Sequence, residues 1–309
     1  MSVHGWVVAM FRPDSSFASV DDGGGPPIHG LSRRRMRTVF GLIMTACAAL
    51  MACEREPRMQ AADNTALPSL SQVTQEEWDR LASRTIYFGH QSVGEDGLAG
   101  VTDILKENPR IRLRIVRGSE APPTMAPALV HVQIGSNGDP RSKNEAMLRF
   151  LDGARPTEGV VLFKYCYLDI DVGTDTRRVF EAYRSTVDAI KARHSGLRVV
   201  HITAPLTTME GHLKLALKSV LGRATDRDRN VKRNQYNALL RAEFQGREPV
   251  FDLASLESTR PDGSRMWFGP SDAPVYSLAP ELTSDGGHLN ATGRRLVAER
   301  LLATLAKIP

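Results

Sequence analysis

The stretch 86-IYFGHQSVGEDGL-98 passes from an apolar, strand-like run through His90, Gln91 and Ser92 into a helical pattern. Ser92 followed three residues later by Glu95 fits a capping box, in which hydroxyl and carboxylate satisfy the unpaired amides of a helix start. A serine at a strand's carboxyl end is also where open α/β sheets put their chemistry. Both readings stand on this stretch alone, so the rest of the chain has to separate them.

Downstream, short β-branched or aromatic runs alternate with amphipathic stretches. Segments 85–89, 111–118, 159–170, 197–206 and 248–256 have the length and composition of strands. Between them, 176-TRRVFEAYRSTVDAIKARH-194 puts Val179, Phe180, Tyr183, Val187 and Ile190 on one helical face, and 291–308 does so with Val297, Leu301, Leu305 and Ile308. Strands alternating with helices predict a single-domain, three-layer α/β/α sandwich around a mainly parallel sheet. The stretch 206–247 reads as a long insertion able to shape a pocket rim.

The first residues read as an address. Arg33–Arg37 precede an apolar run, Val39–Ala52, as in a secretory signal. The run is shorter than the ~20 residues of a membrane span. It ends in 50-LMAC-53, similar to a bacterial lipobox, with Cys53 as the residue to carry lipid. A start at Met36 would give a conventional leader, and Ser32–Arg35 faintly resembles a twin-arginine signal. The expected layout is therefore a leader at 1–52, a polar tether at 53–75, and a domain at 76–309, held by its lipid at the cell envelope. Of the three cysteines, Cys47 falls in the leader and Cys53 carries lipid, so Cys166 has no disulfide partner. A lone strand cysteine reads as a small buried hydrophobe.

Residues 53–309 hold 35 basic against 32 acidic side chains, a net +3 that gives no basis for nucleic-acid binding. The densest basic stretch, 222–235, is interrupted by Asp226 and Asp228 and reads as a solvated face. His131, His201 and His212 show no metal-ligand spacing, and neither a metal nor a cofactor is inferred.

Near the C-terminus, 282-LTSDGGHLNATG-293 sets Asp285 and His288 three apart, just ahead of the last helical pattern. Its plain reading is a turn beside a helix cap. Ser, Asp and His follow in the order of α/β-hydrolases, but Ser92 lacks their G-x-S-x-G elbow. The two blocks together resemble the SGNH/GDSL hydrolases, over roughly residues 84–306. "IYFGHQSVG" is similar to that family's first block, with Ser92 on the nucleophile and one extra residue after Gly89. "DGGHLNATG" is similar to its last block, with Asp285 and His288 on its D-x-x-H.

The resemblance implies a flavodoxin-like sheet, a Ser92–His288–Asp285 triad, no cofactor, and an oxyanion hole fed by a glycine amide and an asparagine side chain. For the glycine, 132-VQIGSNGDP-140 offers Gly135 and Gly138. The asparagine block is a departure: Lys164, Tyr165, Cys166 and Tyr167 stand where Gly-x-Asn-Asp is expected. Asn137, Tyr165, Tyr167 and Lys164 are the candidates to replace it. The implied activity is hydrolysis of acyl or acetyl esters of small molecules or glycans. Two other outcomes are an envelope O-acetyltransferase with the same triad and a non-catalytic ligand-binding lipoprotein on this scaffold.

Overall fold

A computed structural model of the chain describes residues 59–61, 67–118, 127–211, 217–218 and 220–309. The leader, Cys47, the lipobox with Cys53, and His212 lie outside them. Strand β1 (Met59–Ala61) precedes helix α1 (Gln75–Ala82), then β2 (Ile86–His90), α2 (Ser92–Glu107), β3 (Ile115–Arg117), β4 (Leu129–Gln133), α3 (Pro140–Ala154) and β5 (Gly159–Phe163). There follow α4 (Thr176–Arg193), β6 (Leu197–Ile202), α5 (Asp226–Phe244), β7 (Val250–Phe251), α6 (Leu253–Glu257), β8 (Ser264–Phe268), β9 (Val275–Tyr276) and α7 (Ala291–Lys307).

Six strands form one sheet in the order β3-β4-β2-β5-β6-β7, every pairing parallel. Side chains alternate across each strand and so feed two cores. Ile86, Phe88, Val160, Leu162, Val200 and Ile202 meet α1, α2 and α7 on one face. Tyr87, Val161, Phe163 and Val199 meet α3, α4 and α5 on the other. The result is the three-layer α/β/α sandwich that the sequence pattern predicts. β1, β8 and β9 make a small separate antiparallel sheet.

Several boundaries differ from the sequence reading. The segment 159–170 is strand only to Phe163, after which the chain turns into a 3₁₀ turn at Tyr167–Asp169. Strand 111–118 shrinks to Ile115–Arg117, and 248–256 holds two strand residues before Asp252 caps α6 through Ser255 N–H. β4 escaped prediction because Leu-Val-His-Val-Gln is short and has a histidine at its centre. The supposed insertion 206–247 contains α5, the crossover helix between β6 and β7 and a full member of one outer layer. Its basic run is not wholly solvated, since Asn230 and Arg233 are buried. The expected tether ends early: Val73 lies in the core, and Arg300 donates to the carbonyl of Leu67.

β2 is central, with β4 on one side and β5 on the other, so the chain reverses direction across the sheet around it. Sites in such sheets form at the carboxyl ends of the strands beside that reversal. The helices on either side of the serine site are also held close. A Cβ at Gly100 of α2 would stand 2.5 Å from the carbonyl oxygen of Arg294 in α7. Three glycines in α2 cost helix propensity, and Gly100 is where two backbones approach. That approach brings the start of α2 beside the loop preceding α7.

One buried acid makes stability depend on pH. Glu257 accepts from Leu206 N–H at 2.7 Å through Oε2, while its buried Oε1 meets no hydrogen-bond partner among the described residues. Burial pushes its carboxyl from 4.5 up to about 8. The folded chain thus keeps this proton between those values while the unfolded chain releases it, so stability falls as pH rises from about 4.5 towards 8. Glu257→Gln should flatten that slope. Thermal melts from pH 5 to 9 check it: the variant should gain on the wild type with rising pH, and parallel curves would refute it.

Candidate active site

Ser92 occupies the first turn of α2, one residue after the N-cap. That cap is Gln91, in extended conformation and without a side-chain capping bond. Gln91 instead reaches across the sheet, its Nε2 donating to the carbonyls of Ile134 (2.7 Å) and Gly135 (2.9 Å) beyond β4. Glu95 takes no part in a capping box; its Oε1 lies 3.6 Å from Arg117. The serine hydroxyl is therefore left for another partner, and Oγ lies 3.0 Å from His288 Nε2.

His288 is held from behind. Its Nδ1 lies 2.7 Å from Asp285 Oδ2, so the ring donates there and leaves Nε2 to accept from the serine. Asp285 Oδ1 accepts the backbone N–H groups of His288 (2.8 Å) and Gly287 (2.9 Å). The His288 amide, the His288 ring and the Gly287 amide hold this carboxyl well below its usual range, so it stays ionised beside the imidazole. The loop turns at Gly286, with φ +91°, where a side chain would be strained. Thr208 N–H donates to the Gly286 carbonyl, and Asp96 of α2 accepts from Leu289 N–H while pairing with Arg294 of α7. Helix α2, which carries Ser92, thus also fixes the loop of His288.

The candidate oxyanion donors separate by what they already bind. Gly138 N–H donates to Asp169 Oδ1 at 2.8 Å and is spent. Tyr165 is buried with its hydroxyl donating to Asn144. Lys164 is buried, and its Nζ points to the carbonyl of Tyr165. Three of the six candidates are thereby committed elsewhere. The amides of Ser92 and Gly135 meet no acceptor among the described residues. Ser92 N–H also opens a helix N-terminus, whose dipole favours negative charge.

Two side chains remain. Asn137 is exposed, and its Oδ1 accepts from the buried Lys143 Nζ at 3.0 Å, which leaves Nδ2 to donate. Lys143 also forms a fully buried ion pair with Asp169, whose Oδ2 accepts Cys166 N–H as well. One buried pair therefore ties the first turn of α3, and through Asn137 and Gly138 the loop after β4, to the turn after β5. Tyr167 sets its ring edge-on to His288, centroids 5.9 Å apart. Burial pushes its phenol up, keeping it protonated as a donor. Arg233 braces it from α5, donating to the Tyr167 carbonyl at 3.0 Å and standing over the ring. Lys143, Asp169 and Arg233 were not among the residues singled out from sequence.

Cys166 is buried and lies in the turn that follows β5. The Ser92 site is open, with the Asp285 and His288 side chains 56% and 40% exposed. A cleft of ≈ 1220 Å³ lies elsewhere, at the amino-terminal ends of the strands near Thr85, Gly159 and Gly196, and none of the three triad residues lines it.

The chain is similar to SGNH hydrolases. A protein from Slackia heliotrinireducens described as an SGNH hydrolase shares 20% identity over 72% of this chain and 98% of its own, with TM-score 0.41. An acetyl xylan esterase shares 18% identity over 70% of this chain and 97% of its own, with TM-score 0.44. The periplasmic domain of a lipopolysaccharide acetyltransferase from Salmonella Paratyphi A shares 13% identity over 71% and 82%, with TM-score 0.42. No family model matches the chain, and no curated protein does.

Proposed function

We propose that this protein is a divergent SGNH-type serine ester hydrolase acting on acyl or acetyl esters, including those of glycans, at the bacterial envelope. The observation that carries the reading is the unbroken chain Ser92 Oγ, His288 Nε2, His288 Nδ1, Asp285 Oδ2, with contacts of 3.0 and 2.7 Å. A serine hydroxyl is a weak nucleophile unless a positioned base takes its proton as it attacks. His288 is oriented for that transfer, and Asp285 stabilises the imidazolium that results. The proton then passes to the departing alkoxide, leaving an acyl-Ser92 ester that water cleaves by the same relay. Each tetrahedral intermediate places its oxyanion against the Ser92 and Gly135 amides.

The test is an ester panel with fluorophosphonate labelling of the purified domain. Acetyl and short acyl esters should turn over, and the label should fall on Ser92. A panel with no turnover and no label would leave a binding protein on this scaffold. Acetyl transfer to added sugar in place of acetate release would assign the acetyltransferase.

The third oxyanion donor is Asn137 or Tyr167. Loss of one such donor costs ~100-fold or more in kcat. Asn137→Ala should show that loss with KM little changed, because Lys143 already fixes the amide's orientation. A comparable loss in Tyr167→Phe alone would transfer the role to the phenol.

The envelope location rests on the lipobox at Cys53. Mass spectrometry of the membrane fraction should show an acylated peptide beginning at Cys53. A mature chain cut elsewhere, unchanged in Cys53→Ala, would refute the anchor.

A further inference from the structure

Behind the serine, between the sheet and α2, three residues that the triad does not use come together: His90 at the end of β2, His131 in β4 and Glu95 in α2. Their ligand atoms lie within 4.8 Å of one another. His90 Nε2 is 2.9 Å from His131 Nδ1 and 3.9 Å from Glu95 Oε2. The geometry points to a transition-metal site of the zinc class, in which His90 Nε2, His131 Nδ1 and Glu95 Oε2 are three ligands and a fourth position stays open.

Four features support it. First, zinc ligands at 2.0–2.1 Å in a tetrahedron stand ~3.3 Å apart. The 2.9 and 3.9 Å separations lie about 0.4–0.6 Å from that spacing, and the third, from His131 Nδ1 to Glu95 Oε2, lies within 4.8 Å and closes by rotation of the partly exposed Glu95 side chain. Second, His90 Nδ1 lies 3.0 Å from the Gln91 carbonyl. A carbonyl only accepts, so the ring proton sits on Nδ1 and the Nε2 lone pair faces His131 and Glu95. Metal-ligating histidines are commonly held this way by a second hydrogen bond.

Third, His90 is fully buried and its ring is fixed in place. A Cβ at Gly94 would stand 2.3 Å from His90 Cβ, and Phe88 packs on the ring at 4.9 Å. Fourth, Glu95 Oε2 is a buried oxygen with no hydrogen-bond partner among the described residues. Native structures leave few such atoms unsatisfied, and an unplaced ion is one of the ordinary reasons. Arg117 approaches the other oxygen, Oε1, at 3.6 Å, leaving Oε2 to the metal. Two imidazoles and one carboxylate suit zinc and its transition-metal neighbours better than calcium or magnesium. Bound there, the ion would pin β2 and β4 to the first turn of α2, the turn that carries Ser92.

This proposal does not depend on the esterase reading, and its readout is binding. Untagged, chelator-stripped protein is titrated with Zn²⁺ against a chromophoric chelator and then with Co²⁺. The wild type should bind about one equivalent, show the visible absorption of tetrahedral cobalt, and melt at a higher temperature with zinc. Ser92→Ala should bind the same amount. Losing even an outer-shell partner weakens metal sites 10–100-fold, so Glu95→Gln and His131→Ala should each bind ~100-fold more weakly or worse. Glu95 is partly exposed, so Glu95→Gln keeps the test valid if His131→Ala fails to fold. Wild type with no bound zinc and no thermal shift would overturn the proposal, as would undiminished binding by Glu95→Gln.

Discussion

Ser92→Ala is expected to abolish ester turnover and leave the fold in place. In a serine–histidine relay, loss of the nucleophile costs roughly 10⁴–10⁶-fold in kcat. Among the described residues the only side chain that Ser92 Oγ engages is His288, and Gln91 holds the N-cap position, so the substitution removes no helix cap. A change under ~0.5 kcal/mol, and so about 2 °C or less in Tm, follows for such a partly exposed position. Residues acting as one unit lose activity together. Ser92→Ala and Ser92→Ala/His288→Ala should therefore be almost equally inactive. Asp285→Asn should lose ~10⁴-fold, because the ring would no longer be held in the tautomer that accepts from serine. Fluorophosphonate should label the wild type and fail on the His288 variant. An active Ser92→Ala enzyme, or one that loses stability instead of turnover, would dismiss the triad.

The largest loss of stability is expected from Lys143→Met. Lys143 and Asp169 are both fully buried and paired, and the ammonium also holds Asn137. Removing the cation leaves the Asp169 carboxylate in the interior, hydrogen-bonded among the described residues only by the Gly138 and Cys166 amides. Breaking a buried pair from one side costs about 3–5 kcal/mol, which is roughly 10 °C in Tm for a domain of this size. Neutralising the survivor should recover part of it, so Lys143→Met/Asp169→Asn should melt above Lys143→Met. The single variant should also lose kcat more than KM, since Asn137 is freed. Urea melts and steady-state kinetics on the three proteins check both points. A single variant as stable as the wild type would show that the pair is not a structural tie.

Some of the site was visible in the chain. Ser92 stood at the end of an apolar strand, and Asp285 and His288 stood ahead of an amphipathic helix. Both are local patterns with fixed periods, and local patterns survive in a one-dimensional reading. Lys143, Asp169 and Arg233 were invisible, because polar residues are by default assigned to solvent and nothing local marks them as buried. His90 and His131 escaped for a related reason. Forty-one positions separate them in the chain, and only the parallel pairing of β2 with β4 makes them neighbours.

The sequence by itself determined the alternation of strands and helices, and with it the layered sheet, because burial periodicity is written residue by residue. It also marked where a serine and a histidine–aspartate pair stand at the ends of regular elements. Only the tertiary structure decided that Ser92 is a partner of His288 and not a helix cap. It also decided which oxyanion candidates are already committed and which loops a buried ion pair ties together. Those outcomes depend on which backbone and side-chain groups are left unpaired after packing. That follows from contacts between segments as far apart as β2 and α7, and no single segment carries it.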